Sequence, residues 1–296
     1  MLLALTLVGP DRDAASSIAT RVGAAVASIA GPIKESTVLG PGAVDLIFEA
    51  DSISPVRRAA GEAVGAAPVD VCVQPWAGRK KRLLVADMDS TIIGCECLDE
   101  LADFAGLKAE VSAITERAMR GEIGFEGALR ERVVMLKGLP TPALEQCYAQ
   151  RVRLNPGART LVATMDAHGA RCVLVSGGFS FFTSRVAKAA GFQTDRANRL
   201  IEADGALTGE VAEPILGREA KLAALREEAR ALDLDMGETL AIGDGANDLA
   251  MIEAAGLGLA YRAKPLVAAQ ADARIDHADL TSVLYFQGYR AEEFSR

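Results

Sequence analysis

The chain has 296 residues, of which 50% are hydrophobic and 24% are charged, and this composition is typical of a globular protein. Its formal net charge of -8 argues against nonspecific binding to nucleic acid, and no basic amphipathic stretch favours a membrane surface. The apolar residues 1–10 are too few to span a bilayer and lack the features of a signal peptide. We therefore expect a cytoplasmic protein with no nucleic-acid or membrane partner.

Residues 1–75 predict a small α+β domain. Its six elements are expected at residues 2–8, 11–30, 34–39, 43–49, 55–64 and 69–74. The order strand, helix, strand, strand, helix, strand is the ferredoxin-like arrangement. That order, together with Gly9-Pro10-Asp11-Arg12 after the first strand, resembles an ACT domain, a fold that often binds amino acids at a dimer interface. The resemblance implies an ACT-like domain and a homodimer formed through it. Since Asp13-Ala14-Ala15 replaces the glycine common in such domains, a dimerisation or purely structural role is the alternative to amino-acid binding.

The remainder of the chain predicts a Rossmann-like parallel sheet with a helical cap. Residues 76–82 form a linker, residues 83–94 and 155–296 form the α/β core, and residues 95–154 form an all-helical insertion that would cover the sheet edge. Helices are expected in the insertion at residues 99–105, 110–120, 125–136 and 143–150. Strands are expected in the core at residues 83–86, 172–175, 239–242 and 258–260, with a hairpin over residues 198–211 that turns at Asp204-Gly205.

The five cysteines predict no disulfide framework, because their number is odd and their spacing is irregular. Cys95 and Cys97 flank Glu96 in a pattern that suits a soft metal, but no second cysteine pair or histidine cluster completes such a site. We therefore interpret all the cysteines as packing thiols. They are Cys72, Cys95, Cys97, Cys147 and Cys172.

The first chemical motif follows a short apolar run, Leu83–Ala86, that predicts a buried strand. Asp87 and Asp89 come next, and side chains two residues apart in an extended chain point the same way. Two carboxylates so close repel each other unless a cation lies between them or one carries a proton. The pair therefore indicates a divalent-cation site or a nucleophile beside a general acid. Taken alone, it also fits a polar turn.

Two further motifs suit an anionic ligand. Ser176-Gly177-Gly178 ends a predicted strand, and glycine lets backbone N–H groups approach phosphate oxygens closely. Lys221 lies near the start of a predicted helix at residues 219–232, where its charge opposes the helix dipole unless an anion is near. The alternatives are that Ser176-Gly177-Gly178 is only a tight turn and that Lys221 is only a surface lysine.

The last motif, Gly243-Asp244-Gly245-Ala246-Asn247-Asp248, repeats the design of the first, with acidic and amide side chains at the end of a buried strand. Together, Asp87, Asp89 and Asp244 predict a site for a hard cation, best suited to Mg²⁺.

In this order, the motifs over residues 80–290 resemble the haloacid dehalogenase superfamily of phosphohydrolases. Within that superfamily, the segment 87–91 with Glu96, and the segment 118–133, which contains Met119, Phe125 and Arg132, are similar to the phosphoserine phosphatase family. The resemblance implies Mg²⁺-dependent hydrolysis of O-phospho-L-serine through an aspartyl-phosphate, the last step of serine biosynthesis.

The resemblance also implies a role for each site residue. Asp87 is the implied nucleophile and Asp89 the general acid and base, and Mg²⁺ is held by the Asp87 carboxylate, the Asp89 backbone carbonyl and Asp244. The implied partners of the substrate phosphate are Ser176, Gly177, Gly178, Lys221 and Asn247. Glu96 would pair with the ammonium group of the substrate and Arg132 with its carboxylate. Met119 and Phe125 would form the apolar wall of the pocket. Asp248 would orient Lys221 and the metal shell. The alternative for Arg132 is a surface pair with Glu131 or Glu126.

Two other functions stay open at this point. A phosphatase of the same superfamily acting on phosphothreonine or a phosphosugar would share the phosphate motifs, although Glu96 and Arg132 argue against sugars. An amino-acid-sensing regulator could use a phosphatase-like body as a switch without turnover. Receiver domains also carry a phosphorylated aspartate, but they lack an acid at the position of Asp89 and a lid of this size.

Overall fold

The computed structural model describes residues 1–11, 13–119 and 122–295, apart from the side chain of Met119. Two separate sheets and one hairpin organise the chain. The ACT-like motif includes Arg12, which lies outside the described residues. No described helix combines the length and the apolar character needed to cross a membrane.

The N-terminal region is an antiparallel sheet with two helices, as predicted. Its elements are β1 Leu2–Val8, α1 Ala14–Ala27, β2 Glu35–Gly40, β3 Ala43–Glu49, α2 Ile53–Val64 and β4 Asp70–Pro75. The strand order is β2-β3-β1-β4, and Leu5 on the central strand pairs with Leu46 and Val73. The alternate residues Leu3, Leu5 and Leu7 pack against the helices, because successive side chains of a strand point to opposite faces. The ferredoxin-like arrangement is confirmed.

The second sheet has six parallel strands in the order β12-β11-β10-β5-β6-β7. Its strands are β5 Leu83–Ala86, β6 Arg171–Phe179, β7 Thr194–Asn198, β10 Thr239–Gly243, β11 Leu257–Tyr261 and β12 Ala273–Ile275. The helices that connect or flank them are α7 Ala158–Ala167, α8 Ser180–Ala190, α9 Arg218–Ala231, α10 Leu249–Ala254, α11 Pro265–Gln270 and α12 Ser282–Phe286. All four residues of β5 are fully buried, since helices and loops cover both faces of this sheet.

A helical insertion separates β5 from the rest of this sheet. It contains α3 Cys97–Phe104, α4 Lys108–Met119, α5 Phe125–Met135 and α6 Pro142–Arg151. The hairpin of β8 Leu200–Ala203 and β9 Ala206–Val211 lies against the insertion, where the backbone N–H of Gly138 donates to the Leu207 carbonyl at 2.8 Å. The predicted turn of the hairpin is also present, with φ of 52° at Asp204 and 78° at Gly205.

Two strands of the parallel sheet are missing from the sequence prediction. The edge strand β7 has the sequence Thr-Asp-Arg-Ala-Asn, and β12, at the other edge, has only three residues. Neither carries the apolar run of a buried central strand, because an edge strand has a neighbour on one side only. The sequence prediction therefore left out β7 and β12, whose composition does not mark them as strands.

The N-terminal region is joined to the parallel sheet by polar contacts. The carboxylate of Asp70, which is 3% exposed, accepts hydrogen bonds from the backbone N–H groups of residues 276–278 at 2.9–3.2 Å. Arg79, in the segment between the two sheets, donates to the buried Asp45 on β3 at 2.6 Å. The first contact joins the N-terminal region to the parallel sheet, and the second fixes the connecting segment to the N-terminal sheet.

Candidate active site

The centre of the site is formed where β5 and β10 end side by side. The two strands pair in parallel with Ala86 opposite Ile242, and the backbone N–H of Asp87 donates to the Ile242 carbonyl at 3.0 Å. This register brings Asp87 and Asp244 to the same edge of the sheet, although 157 positions separate them in the sequence. The Thr91 hydroxyl donates to Asp244 at 3.4 Å.

Asp89 is held by donors from two different segments. Its Oδ1 accepts the backbone N–H of Cys97 at 2.8 Å, and its Oδ2 accepts the Ser176 hydroxyl at 3.0 Å. Ser90, which follows, has φ of 57°, and this left-handed residue turns the chain back toward the insertion. The carboxylate of Asp89 therefore lies between the insertion and the end of β6.

Three carboxylates form a candidate metal centre. One oxygen from each of Asp87, Asp244 and Asp248 lies within 4.8 Å of the others, and this is the one such group among the residues that the structure describes. Asp248, to which the sequence analysis gave only an orienting role, therefore has a carboxylate oxygen in the candidate metal centre itself. The carboxylate of Asp89 is outside the group, so a contribution of Asp89 to a metal through its backbone carbonyl stays a prediction.

Lys221 is the buried cation beside this group. It is 2% exposed, and its ammonium group donates to both Asp87 and Asp248. Burial favours the neutral amine, but the charges of Asp248 and Asp87 outweigh it and raise the pKa of Lys221, so the lysine is protonated. Asp248 also accepts the backbone N–H groups of Asp244 at 3.2 Å and Gly245 at 3.0 Å, and these bonds fix its orientation.

Negative charge exceeds positive charge at the edge of the sheet. Burial and the charge of Asp248 raise the pKa of Asp87 well above its usual value. Burial and Glu96 raise the pKa of Asp89 to about 6, and burial and Asp248 raise that of Asp244 to about 6. A divalent cation would offset this repulsion.

Ser176, Gly177 and Gly178 lie next to Asp89. They belong to β6, at the register shift between Val175 and Phe179, and not to a turn after the strand as the sequence suggested. The backbone N–H of Gly178 donates to the Ser176 hydroxyl at 2.8 Å. A methyl group on Gly178 would lie 3.1 Å from Asp89 Oδ2, and one on Gly177 would lie 3.0 Å from the Phe125 ring. A side chain at Gly177 or Gly178 would crowd the Phe125 ring or the Asp89 carboxylate, which favours glycine at both positions.

A cavity of about 920 Å³ opens between the sheet edge and the insertion. Most of the predicted site residues line it, namely Asp87, Asp89, Glu96, Phe125, Arg132, Ser176, Gly177, Gly178, Asp244 and Asn247. Lys221 contacts both Asp87 and Asp248 next to it. The side chain of Met119 lies outside the described residues.

Glu96 and Arg132 bring opposite charges to the cavity. Glu96 accepts the Ser90 hydroxyl at 2.6 Å, and burial raises its pKa. Arg132 donates through Nε to the Ala128 carbonyl at 3.1 Å and through Nη1 to the Thr115 hydroxyl at 3.2 Å. Arg132 lines the cavity and is held by these two oxygens, so the structure does not have the alternative surface pair with Glu131 or Glu126.

Sequence reasoning missed three residues that shape the site. Thr115 holds Arg132, and Lys264 lines the cavity while its backbone N–H donates to the Asp244 carbonyl at 3.1 Å. Asn198, which is 2% exposed, donates to the Gly177 carbonyl at 2.8 Å and accepts the N–H of Leu216 at 2.7 Å. No local pattern marks them, because each acts through contacts with distant segments.

Comparison with known proteins places these features in a family. The profile of the haloacid dehalogenase-like hydrolases matches residues 84–253. A phosphoserine phosphatase of Streptococcus thermophilus is 47% identical over 204 residues, which cover 69% of this chain and 94% of that protein. A phosphoserine phosphatase of Archaeoglobus fulgidus is 44% identical over 217 residues, which cover 73% of this chain. The chain spans 63% of the length of the Archaeoglobus protein.

Solved structures agree with the fold. A haloacid dehalogenase-family hydrolase from Salmonella enterica serovar Typhi aligns with a TM-score of 0.86 at 26% identity, over 96% of this chain and 98% of that one. A phosphoserine phosphatase in the form of a phospho-aspartyl intermediate analogue aligns with a TM-score of 0.66 at 38% identity, over 70% of this chain and 99% of that one. With the profile matched over more than half of its residues, the chain belongs to the haloacid dehalogenase-like hydrolase family.

Proposed function

We propose that this protein hydrolyses O-phospho-L-serine to L-serine and inorganic phosphate, the last step of serine biosynthesis, with Mg²⁺ as cofactor. The observation that carries the proposal is the placement of Asp87, a buried carboxylate bound to Lys221, in one cavity with Asp89, Glu96 and Arg132. The identity to relatives named phosphoserine phosphatase supports the same substrate.

Asp87 is the proposed nucleophile. Its carboxylate oxygen attacks phosphorus in line, the bond from phosphorus to the seryl oxygen breaks, and an aspartyl-phosphate forms. The phospho-aspartyl analogue of the solved phosphatase supports this route. Lys221 offsets the repulsion between the carboxylate and the phosphate dianion, because it is protonated and contacts Asp87 directly.

Asp89 is the proposed proton donor and acceptor. Burial and the charge of Glu96 raise its pKa to about 6, so a proton is available to the departing seryl oxygen near neutral pH. After serine leaves, the Asp89 carboxylate accepts a proton from the water that attacks the aspartyl-phosphate. The hydrogen bonds from Cys97 and Ser176 keep this carboxylate oriented through both steps.

The donor set at the edge of the sheet fits a hard divalent cation. Asp87, Asp244 and Asp248 supply carboxylate oxygens that lie close together, and the raised pKa values of Asp87 and Asp244 indicate a shortage of positive charge. We propose that Asp87 and Asp244, with the backbone carbonyl of Asp89, hold Mg²⁺. Bound there, Mg²⁺ supplies positive charge to the phosphate oxygens.

The remaining cavity residues are proposed to choose the substrate. Ser176, Gly177 and Gly178 offer a hydroxyl and close-lying backbone to phosphate oxygens, beside Asn247. Glu96 pairs with the ammonium group, and Arg132 binds the carboxylate in a two-pronged hydrogen bond that lysine does not reproduce. Phe125, which lines the cavity, forms part of the apolar wall that excludes water when the insertion closes.

The test is phosphate release from O-phospho-L-serine with Mg²⁺ and with chelator, compared with O-phospho-L-threonine and a phosphosugar. We expect turnover of phosphoserine that requires Mg²⁺ and is lost in Asp87→Asn. Preference for a phosphosugar would identify another phosphatase of the family. A single stoichiometric burst without turnover would favour a regulator, and retained activity in Asp87→Asn would exclude the covalent route.

A further inference from the structure

Arg218 is a cation of the cavity that the chemistry described above does not use. It is the first residue of α9, it is exposed, and it lines the cavity. Lys221 lies three residues further along the same helix, so the two side chains are neighbours on one helix face. Because Lys221 is buried against Asp87, this face of α9 leads from solvent to the proposed nucleophile.

The neighbours of Arg218 place it at the rim of the cavity. Gly217, directly before it, faces the insertion, since a methyl group on Gly217 would lie 3.5 Å from the Phe125 ring. On its other side a surface groove of about 660 Å³ runs between α9 and α10, and Arg218 and Ala246 line both this groove and the cavity. Arg218 therefore lies where the cavity meets solvent, beside the contact between the insertion and the sheet. Glu219, the next residue, lines the groove but not the cavity.

The charge of Arg218 is not neutralised by a neighbour. Among the residues that the structure describes, Arg218 makes no hydrogen bond and no ion pair. Arg132, by contrast, is held by the Ala128 carbonyl and the Thr115 hydroxyl. A cation in the first turn of a helix also opposes the helix dipole, so the helix itself gains nothing from Arg218. The rim of the cavity thus carries a positive charge that is free to bind an anion.

A phosphate ester has to approach this cavity against negative charge. O-phosphoserine has a net charge of about -2 near neutral pH, and the chain has a formal net charge of -8. Among the described residues, five carboxylates line the cavity but only three cations, namely Arg132, Arg218 and Lys264. A positive charge at the rim acts on the anion while it is still in solvent, and such charges raise the rate of association.

We propose that Arg218 is the entry residue for the phosphate group, which it binds at the rim before the group reaches Lys221 and Ser176. The inference rests on the proposed function and deepens it by naming the group that is recognised first. A guanidinium suits this task, because its planar fork matches two phosphate oxygens. Since Arg218 acts on the phosphate and Arg132 on the substrate carboxylate, Arg218 serves every phosphomonoester that enters. It acts on substrate entry and not on the chemical step.

The experiment measures kcat and KM of the full-length protein with Mg²⁺, on O-phospho-L-serine and on an aryl phosphate. Ionic strengths of about 0.01 M and about 1 M shorten the Debye length from about 30 Å to about 3 Å. At low ionic strength we expect Arg218→Gln to lower kcat/KM about fivefold on both substrates and to leave kcat nearly unchanged, because a rim charge acts on association. The loss is expected to shrink to less than about twofold at high ionic strength. Arg218→Lys is expected to keep most of the wild-type value, and Arg218→Glu to lose more than Arg218→Gln.

Arg226→Gln is the matched control. Arg226 is an exposed arginine about two turns further along α9, and it lines the groove but not the cavity. We expect its kcat/KM to equal that of the wild type at both ionic strengths. An equal loss in Arg226→Gln, or a loss in Arg218→Gln that does not depend on salt, would overturn the proposal. A fall in kcat as large as the fall in kcat/KM would overturn it as well, since the guanidinium would then act on the reacting atoms.

Binding of inorganic phosphate separates this inference from the proposed function. Isothermal titration calorimetry of the Mg²⁺-loaded protein at low ionic strength is expected to give a Kd for phosphate that is about fivefold higher in Arg218→Gln than in the wild type and in Arg226→Gln. An unchanged Kd in Arg218→Gln would overturn the entry role. A protein that fails to hydrolyse phosphoserine, but whose binding of phosphate still depends on Arg218, would contradict the proposed substrate and support the entry role.

Discussion

The ammonium group of Lys221 is shared between Asp87 and Asp248, while Asp244, Asp89 and Glu96 bring further negative charge to the same cavity or its edge. Carboxylates gathered in a partly buried site cost free energy of folding, because burial and mutual repulsion disfavour the charged forms. The same charges are those that the proposed chemistry requires. At the residue scale, therefore, function and stability are opposed.

This opposition predicts that Asp244→Asn stabilises the metal-free protein. The pKa of Asp244 is about 6 in the folded protein, against 3.8 for an ordinary aspartate, which we take for the unfolded chain. Between pH 3.8 and about 6 the folded protein therefore binds more protons than the unfolded chain, and its free energy of unfolding falls as the pH rises through this range. The variant lacks this penalty. In chelator at pH 7 we expect its free energy of unfolding to exceed that of the wild type by about 1 to 2 kcal/mol, measured by urea denaturation.

The difference is expected to shrink toward zero as the pH falls to about 4, where the wild-type carboxyl is neutral as well. Asp51→Asn, on the exposed surface, is the matched control and is expected to show no such pH-dependent gain. A gain for Asp244→Asn that is equal at both pH values would contradict the electrostatic explanation.

The charge of Arg132 predicts a change of specificity rather than of chemistry. We expect Arg132→Ala to reduce kcat/KM for O-phospho-L-serine by about a hundredfold, which corresponds to the roughly 3 kcal/mol of a lost charged hydrogen-bond pair. Hydrolysis of an aryl phosphate, which has no carboxylate, is expected to stay largely intact. Steady-state kinetics on both substrates measure the contrast.

Arg130→Ala is the matched control for this prediction, because Arg130 lies on the same helix but is exposed and pairs with Glu213. It is expected to leave both substrates nearly unaffected. Equal losses on both substrates in Arg132→Ala would instead assign Arg132 a structural role through its contact with Thr115.

At the scale of elements, the central strands were predictable from their apolar runs, whereas the edge strands were not, because their residues are largely polar or few. Leu83–Ala86 is fully buried and was predicted, because a strand covered on both faces must be apolar throughout. β7 was missed, since four of its five residues are only partly buried and polar side chains suffice there. In the site, the strand-end aspartates were predictable from their local pattern. Thr115 and Asn198 were not, because their roles arise only from contacts between segments distant in the chain.

The hairpin β8–β9 offers a test of how the insertion is fastened to the sheet. Gly209 has φ of 84°, and a methyl group there would lie 3.0 Å from Lys137 Cβ, just after α5. Gly205 has φ of 78° and no neighbour within 4 Å at that position. We expect Gly205→Ala to cost about 1 kcal/mol through backbone strain alone and Gly209→Ala to cost roughly 2 to 3 kcal/mol, because it also disrupts the contact with the insertion.

Urea denaturation of both variants measures the two costs, and limited proteolysis reports whether the insertion is released. Cleavage between residues 122 and 154 is expected to increase in Gly209→Ala and to stay at the wild-type level in Gly205→Ala. Equal costs and equal cleavage patterns would show that the hairpin contributes nothing to holding the insertion in place.

At the scale of the whole molecule, Asp70 joins the N-terminal region to the parallel sheet by accepting the backbone N–H groups of residues 276–278. Backbone donors buried without an acceptor are costly, so this one carboxylate contributes to the stability of both regions. Trp76 is the single tryptophan, directly follows β4 and is 48% exposed. Its fluorescence therefore reports on the boundary between the regions.

We predict that Asp70→Ala destabilises the boundary by roughly 2 kcal/mol, because the N–H groups lose their acceptor. The tryptophan signal is expected to change at a lower urea concentration than the loss of helical circular dichroism, whereas the two transitions coincide in the wild type. Asp276→Ala is the matched control, since it keeps the backbone donor to Asp70 and removes an exposed side chain together with its surface ion pair to Arg274. Coincident transitions in Asp70→Ala would contradict a separate weakening of the boundary.

The insertion of α3–α6 directly after β5 places the groups proposed to select the substrate in a different part of the chain from those proposed to carry out hydrolysis. The groups proposed to handle phosphate come mainly from strand ends of the sheet, whereas Glu96, Phe125 and Arg132 come from the inserted segment and its hinge. Exchange of side chains on the inserted helices can therefore redirect the enzyme to a different ester while the hydrolytic apparatus is inherited unchanged. Evolution of new selectivity in such a scaffold needs neither a new fold nor a new reaction.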